Sequence, residues 1–411
     1  MRPCFNYVRD MIKKIIFIIP RSFRSLSYLP SAAEILRKNG FEFEVWDISS
    51  ISDKAFEDPQ SDSNETAFYS IRYFNSRKSL ADAILDLDKH CFVNCFVKLS
   101  TDSLFIYRAL SNGRIKYGGL QMMGLPSPII PERSSTLKIK DLGKGILSSN
   151  IRDIFHHFLD SFLLKHYSLF RINAVDVLLL GGEKSLDNKI YPRDSHTKLL
   201  WAHSFDYDTY LKIKDEFTRA DVNACVFLDE FLPFHTDYQE IGVDAPVPAN
   251  EYYPKLCRFF DYVEQKFNLK ILIAVHPKSD YENKPDYFHG RVTVKGDTAH
   301  LVKDASFVLA HMSTSINFAI LFNKPILFIT LDRMQNLRST KANTGLYIDK
   351  ITSDLMTVPV NIDHMNDVNL EELLHINQYA YDRYKNNYIK KDGSPDLPFW
   401  EIFSSYCRCL D

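Results

Sequence analysis

Two polar clusters close buried runs in the second half of the chain. KILIAV (270–275) leads into His276-Pro277-Lys278. DASFVLA leads into His311-Met312 and then Ser313-Thr314-Ser315, which opens the apolar run INFAILF. An imidazole titrates near neutrality and can donate a hydrogen bond or a proton to an anionic oxygen. A hydroxyl-rich turn at a helix start adds side-chain donors to the backbone N–H groups left unsatisfied there, a combination suited to phosphate. One hydroxyl suffices for an ordinary helix cap, and three in succession exceed that need. Lys278 adds positive charge, and Pro277 stops the strand. His311 reads either as part of the phosphate site or as a buried structural residue. Asp229-Glu230 close a third run, ACVFL. A carboxylate there could hold a sugar or deprotonate an alcohol, a role for which Asp206 and Asp208 compete. Asn323-Lys324-Pro325 reads as a structural turn.

These residues need strands to present them. Strands are expected at Lys14–Ile19, Phe41–Ile48, Cys91–Val97, Arg114–Leu120, Val175–Leu180 and Leu199–His203. In the second half they are expected at Ala224–Leu228, Lys270–Val275, Ser306–Ala310 and Pro325–Ile329. Amphipathic or apolar helices are expected between them, including Ser31–Asn39, Ser103–Ser111 after a Thr101-Asp102 cap, Ile151–Tyr167, Tyr252–Phe267 and a closing Leu370–Tyr388. Alternation of this kind implies parallel sheets covered on both faces. The expected fold class is α/β, with two doubly wound Rossmann-like domains facing a cleft. An acceptor-side domain would span 1–215 and a nucleotide-sugar-binding domain with the closing helix 216–411, joined near 210–222. Ligands of such sheets lie outside the carboxyl ends of the strands, where Asp229, His276 and Ser313–Ser315 all fall. The Pro-, Ser-, Gly- and Lys-rich stretch Gln121–Asn150 reads as a surface excursion or acceptor loop, and 52–66 as a polar loop.

Composition narrows the function classes. A chain of 411 residues is about right for two domains. Its net charge of −2 offers no general attraction to nucleic acid, so an anionic ligand needs a local site. The seven cysteines have no zinc spacing and read as reduced thiols of a cytoplasmic protein, with Cys407 and Cys409 close by accident. Ile15–Pro20 reads as a first strand rather than a leader, and no run reaches the ~20 apolar residues of a membrane span. Thirty Phe and 22 Tyr leave room for peripheral membrane contact. GxGxxG, GxxxxGK[ST], GxSxG and HExxH are all absent. Asp206-Tyr207-Asp208 has the letters of a divalent-metal handle. No cofactor is expected to be required, and no metal ligand is assigned.

A His-Pro pair, a hydroxyl cluster at a helix start, an apolar helix and a Lys-Pro strand together resemble the nucleotide-binding half of bacterial two-domain (GT-B type) glycosyltransferases. The resemblance is greatest to those using CMP-activated nonulosonic or ulosonic acids (sialyl-, pseudaminyl- or Kdo-transferase type). It covers roughly 222–332. In those families a His-Pro motif and a paired-serine motif recur, and here they look like His276-Pro277 and Ser313-Thr314-Ser315. The resemblance implies that His276 contacts or protonates the CMP phosphate, and that the hydroxyl turn holds the phosphate or the sugar carboxylate. It also implies an acidic acceptor base, with Asp229 first and Glu230 next. Thr314 replaces the middle serine, which leaves the role of each oxygen open. The implied partners are a CMP-activated donor and an oligosaccharide or lipid-linked glycan acceptor of capsule or lipopolysaccharide. A teichoic-type polyol-phosphate transferase with a CDP donor shares the histidine, the serines and the Lys-Pro strand. A non-catalytic glycan- or nucleotide-binding module is the reading from another class.

Overall fold

The computed structural model describes residues 11–20, 28–52, 69–128, 147–217, 223–236, 238, 243–336, 344–365 and 368–410. The expected polar loop is covered at residue 52 alone, and 129–146 of the expected excursion lie outside the described residues. The chain divides into two compact units. The first takes Met1–Met122, Ser134–Ala202 and Ser394–Asp411, and the second takes Met123–Arg133 and His203–Gly393.

The first unit is built on seven parallel strands: β1 (Lys14–Ile19), β2 (Glu42–Asp47), β3 (Ser70–Tyr73), β4 (Cys91–Cys95), β5 (Lys116–Gln121), β6 (Val177–Leu180) and β7 (Lys198–Trp201). Their order is β3-β2-β1-β4-β5-β6-β7. β1, β4 and β6 are almost wholly buried, as continuous apolar runs between two helical layers should be. Gly118-Gly119 sit in β5 because larger residues do not fit. A Cβ on Gly119 would stand 2.4 Å from the Tyr191 ring, whose hydroxyl donates to Cys95 O at 3.0 Å.

The second unit has six parallel strands: β8 (Ala224–Leu228), β9 (Lys270–Val275), β10 (Thr293–Lys295), β11 (Val308–Ala310), β12 (Ile326–Thr330) and β13 (Val360–Asn361). Their order is β10-β9-β8-β11-β12-β13. The strand order reverses at β8, so the crevice of the doubly wound fold opens between the ends of β8 and β11. The helix Ala249–Phe267 buries Tyr252, Tyr253, Leu256, Cys257, Phe259, Phe260 and Val263, an apolar stripe at helical spacing.

Several expectations need correction. The domain boundary expected at 215/216 lies at Ala202/His203 in the structure, and residues from Ser394 onward return to the first unit. Burial explains the return. The helix Phe399–Arg408 inserts Phe399, Trp400 and Phe403, with the Trp400 ring 5.0 Å from Phe17 and Phe403 5.6 Å from Phe92. The closing helix expected over Leu370–Tyr388 is broken into Leu370–Leu373, Gln378–Tyr384 and a wide turn at Lys385–Ile389. The break is made by Asn377, whose side chain accepts from Ala380 N and restarts the helix. Thr101 does not cap Leu104–Asn112, because its N–H and hydroxyl both donate to Asp160. Cys407 is buried and Cys409 exposed.

Candidate functional site at the carboxyl ends of the second sheet

β8 ends in two carboxylates that reach opposite neighbours. Asp229 leans toward β9. Its Oδ1 accepts from Phe231 N at 3.0 Å and Tyr281 Oη at 3.1 Å, and its Oδ2 accepts from His276 N at 3.4 Å. Glu230 leans toward β11, where its Oε1 accepts from Met312 N at 2.6 Å. Two consecutive residues therefore fix both the histidine corner and the start of the hydroxyl turn. Adjacent strands lie about 4.8 Å apart, so with β8 between β9 and β11 the two elements are roughly 10 Å apart at their backbones. One phosphate with its attached sugar can bridge that span.

Burial dominates the electrostatics. The carboxyl of Asp229 is pushed up to about 6 by desolvation, against the opposing effect of its donors. Glu230 goes further, to about 8, through desolvation first and the neighbouring Asp229 charge besides. Near neutrality Glu230 is largely a neutral acid, which can donate a hydrogen bond as well as accept one.

His276 is half-buried at the strand end, with Pro277 and Lys278 exposed. Its Nδ1 accepts from Lys278 N at 3.2 Å, which in the neutral ring puts the proton on Nε2. Its carbonyl accepts from Ser279 N at 2.9 Å, so the corner is a closed turn. A second imidazole, His235, lies with its ring centroid 4.7 Å from that of His276. His235 escapes sequence reading because the long loop after β8 has no periodicity to place it.

The hydroxyl turn is built differently from an ordinary cap. Ser313 Oγ accepts from Ser315 N at 3.2 Å, leaving its hydroxyl hydrogen to donate. Thr314 is exposed and Ser315 half-buried. Ser315 stands at the cap position of Ile316–Leu321 without a side-chain cap bond. A Cβ on Gly124 would lie 3.5 Å from Thr314 Cγ2, so the chain passes beside the turn at Gly124.

His311 does not join the site. It is fully buried, and both ring nitrogens are taken. Nδ1 lies 2.7 Å from Ile329 O and so carries the proton, while Nε2 lies 2.9 Å from Tyr252 Oη and accepts from it. Burial lowers its pKa to about 4, so it is a neutral structural residue with no nitrogen left for a ligand. Asn323 adopts a left-handed φ of 53°, and Lys324 O accepts from Tyr381 Oη at 2.9 Å, as a turn requires. The Asp206-Tyr207-Asp208 letters do not converge. Asp206 accepts from Asn317 Nδ2 at 2.7 Å, whereas Asp208 lies 3.7 Å from His203 Nε2. Among the described residues no group of three His, Cys, Asp or Glu is placed to hold a metal ion.

No family model and no curated protein matches this sequence. Solved structures do. The glycosyltransferase SnogD from Streptomyces nogalater aligns over 98% of this chain and 100% of its own, with a TM-score of 0.51 at 10% identity. The fold is of the GT-B type. UDP-GlcNAc 2-epimerase from Methanocaldococcus jannaschii aligns over 96% and 99%, with a TM-score of 0.48 at 10% identity. The Neisseria meningitidis enzyme of that name, solved with UDP-GlcNAc, aligns over 97% and 99%, with a TM-score of 0.47 at 13% identity. At these identities the likeness concerns architecture. In GT-B terms, His276 and Ser313–Ser315 both stand on the second doubly wound unit, the hydroxyl turn after β11 at its switch point and His276 after β9, one strand beyond β8.

Proposed function

We propose that this protein is a glycosyltransferase. It would move a nonulosonic or ulosonic acid from a CMP-activated donor to a hydroxyl of a growing capsule or lipopolysaccharide glycan. The observation that carries the reading is the paired anchoring at the switch point, with Asp229 on the His276 corner and Glu230 on the hydroxyl turn. The donor phosphate would take hydrogen bonds from His276 and from the hydroxyls of Ser313 and Thr314, with Lys278 adding charge. Because the Met312 N–H is held by Glu230, side-chain donors rather than that backbone group would serve the phosphate. His276 would neutralise or protonate the leaving phosphate oxygen, which stabilises charge that develops only as the glycosidic bond breaks. A monophosphate leaving group carries less charge than a diphosphate, so a metal ion is not required by this reading. The protein would work in the cytoplasm, where a lipid-linked acceptor implies peripheral contact with the membrane's inner face.

A thermal-shift series with CMP, CDP, UDP and GDP tests the donor. Stabilisation by CMP is the expected result. Stabilisation by UDP alone overturns the CMP assignment, CDP alone favours a polyol-phosphate donor, and no response to any of the four overturns the transferase reading.

A further inference from the structure

The strand-end carboxylates are committed to the frame. Asp229 receives three donors and Glu230 holds the turn, and both are buried. Neither is well placed to take a proton from an incoming alcohol. A third carboxylate reaches, from another element, the helix that follows the hydroxyl turn. Asp206 lies in the first turn of the helix Phe205–Ile213, within the second unit. Its Oδ2 accepts from Asn317 Nδ2 at 2.7 Å. Asn317 is buried, and its backbone N–H donates to Thr314 O at 3.1 Å. One residue thus joins Asp206 to the turn. Asn317 Oδ1 is enclosed without a partner, but Asp206 Oδ1 is not among such atoms. Among the described residues Asp206 Oδ1 has no hydrogen-bond partner, and Asp206 is only half-buried. The arrangement has one oxygen steered by a fixed amide and the other available.

We infer that Asp206, rather than Asp229 or Glu230, is the proton acceptor for the attacking hydroxyl. The inference deepens the transferase reading and rests on it. In the step, the alcohol oxygen bonds to the anomeric carbon as the bond from that carbon to the nucleotide phosphate oxygen breaks. The phosphate leaves with the bonding electron pair, and the hydroxyl proton passes to Asp206 Oδ1. Desolvation lifts the Asp206 carboxyl to about 6, which makes it a stronger base than an exposed aspartate while leaving it ionised at neutral pH. Asn317 is a positioning residue that acts through Asp206.

The test uses the full-length protein with CMP-N-acetylneuraminic acid as probe. Release of CMP to water is followed across pH 5–8, and CMP affinity is measured by calorimetry. The Asp206→Asn variant is expected to keep CMP affinity and lose about 10²–10⁴-fold in kcat, and to lose the acidic limb near pH 6. Asp206→Glu should restore part of the rate, which a purely structural role would not produce. Wild-type turnover matched by Asp206→Asn overturns the inference and leaves the transferase reading intact. Wild type that neither binds CMP nor releases it overturns both.

Discussion

Replacing Glu230 by Gln should stabilise the protein, and increasingly so as pH rises. Burial and the Asp229 charge lift the Glu230 carboxyl from 4.5 to about 8. A raised carboxyl means that the folded state binds the proton more tightly than the unfolded chain. Its contribution is fully present below about pH 4.5 and is lost as pH climbs towards 8. At about 1.4 kcal/mol per pH unit, the loss is about 4 kcal/mol at pH 8 and about 1 kcal/mol at pH 5. Glutamine cannot ionise, and it keeps a carbonyl oxygen for the Met312 N–H, 2.6 Å from the present Oε1. Subtracting about 1 kcal/mol for the weaker bond to a neutral acceptor leaves a net gain of about 3 kcal/mol at pH 8 and almost none at pH 5. For a unit of this size that is a rise of roughly 6–12 °C in midpoint. Thermal unfolding of wild type and Glu230→Gln at pH 5 and 8 measures it. An equal effect at both pH values, or a loss at pH 8, would refute the reasoning that desolvation governs this carboxyl.

Four further outcomes follow from the same geometry. His276→Ala should reduce donor turnover by about 10²–10⁴-fold with the unfolding midpoint unchanged, as steady-state kinetics and circular dichroism would show; a loss of folding instead would make the residue structural. His311→Leu leaves Tyr252 Oη and Ile329 O unpaired and should cost about 2–5 kcal/mol in urea unfolding, while CMP affinity in the folded variant stays unchanged. Because burial lowers His311 to about 4, the unfolded chain takes up a proton first; the His311 contribution should be lost between about pH 6.5 and 4, against the gain from Glu230, and the stability difference between wild type and His311→Leu should shrink over that range. Trp400→Ala removes a buried ring that packs on Phe17 and should cost about 3–5 kcal/mol, read from the unfolding of the first unit.

Buried strands are the easiest part of this fold to read from sequence. KIIFII, ACVFL and KILIAV are strands at the expected residues, because central parallel strands need apolar residues on both faces. β3 is not legible. Ser70–Tyr73 is an edge strand with largely exposed side chains, so it carries neither an apolar run nor a clear alternation. β5 begins at Lys116 rather than Arg114 because Arg114 takes a left-handed φ of 52°. At the site, types and spacing disclosed His276, the hydroxyl turn and Asp229-Glu230. What each atom does was hidden, since hydrogen bonds across a sheet depend on strand order, and order depends on pairings far apart in sequence. Asn317 shows the point well. A polar residue inside INFAILF is an anomaly in the sequence, but its partner Asp206 lies on a helix 111 positions away.

The central claim is that the His276 imidazole and the Ser313–Thr314 hydroxyls meet on one phosphate. A double-mutant cycle measures this directly, with calorimetric affinities for CMP and for cytidine in wild type, His276→Ala, Ser313→Ala and the double variant. Convergence predicts a coupling energy of about 0.5–3 kcal/mol for CMP and cytidine binding that none of the substitutions alters. Additive losses for CMP, or equal losses for CMP and cytidine, would contradict it.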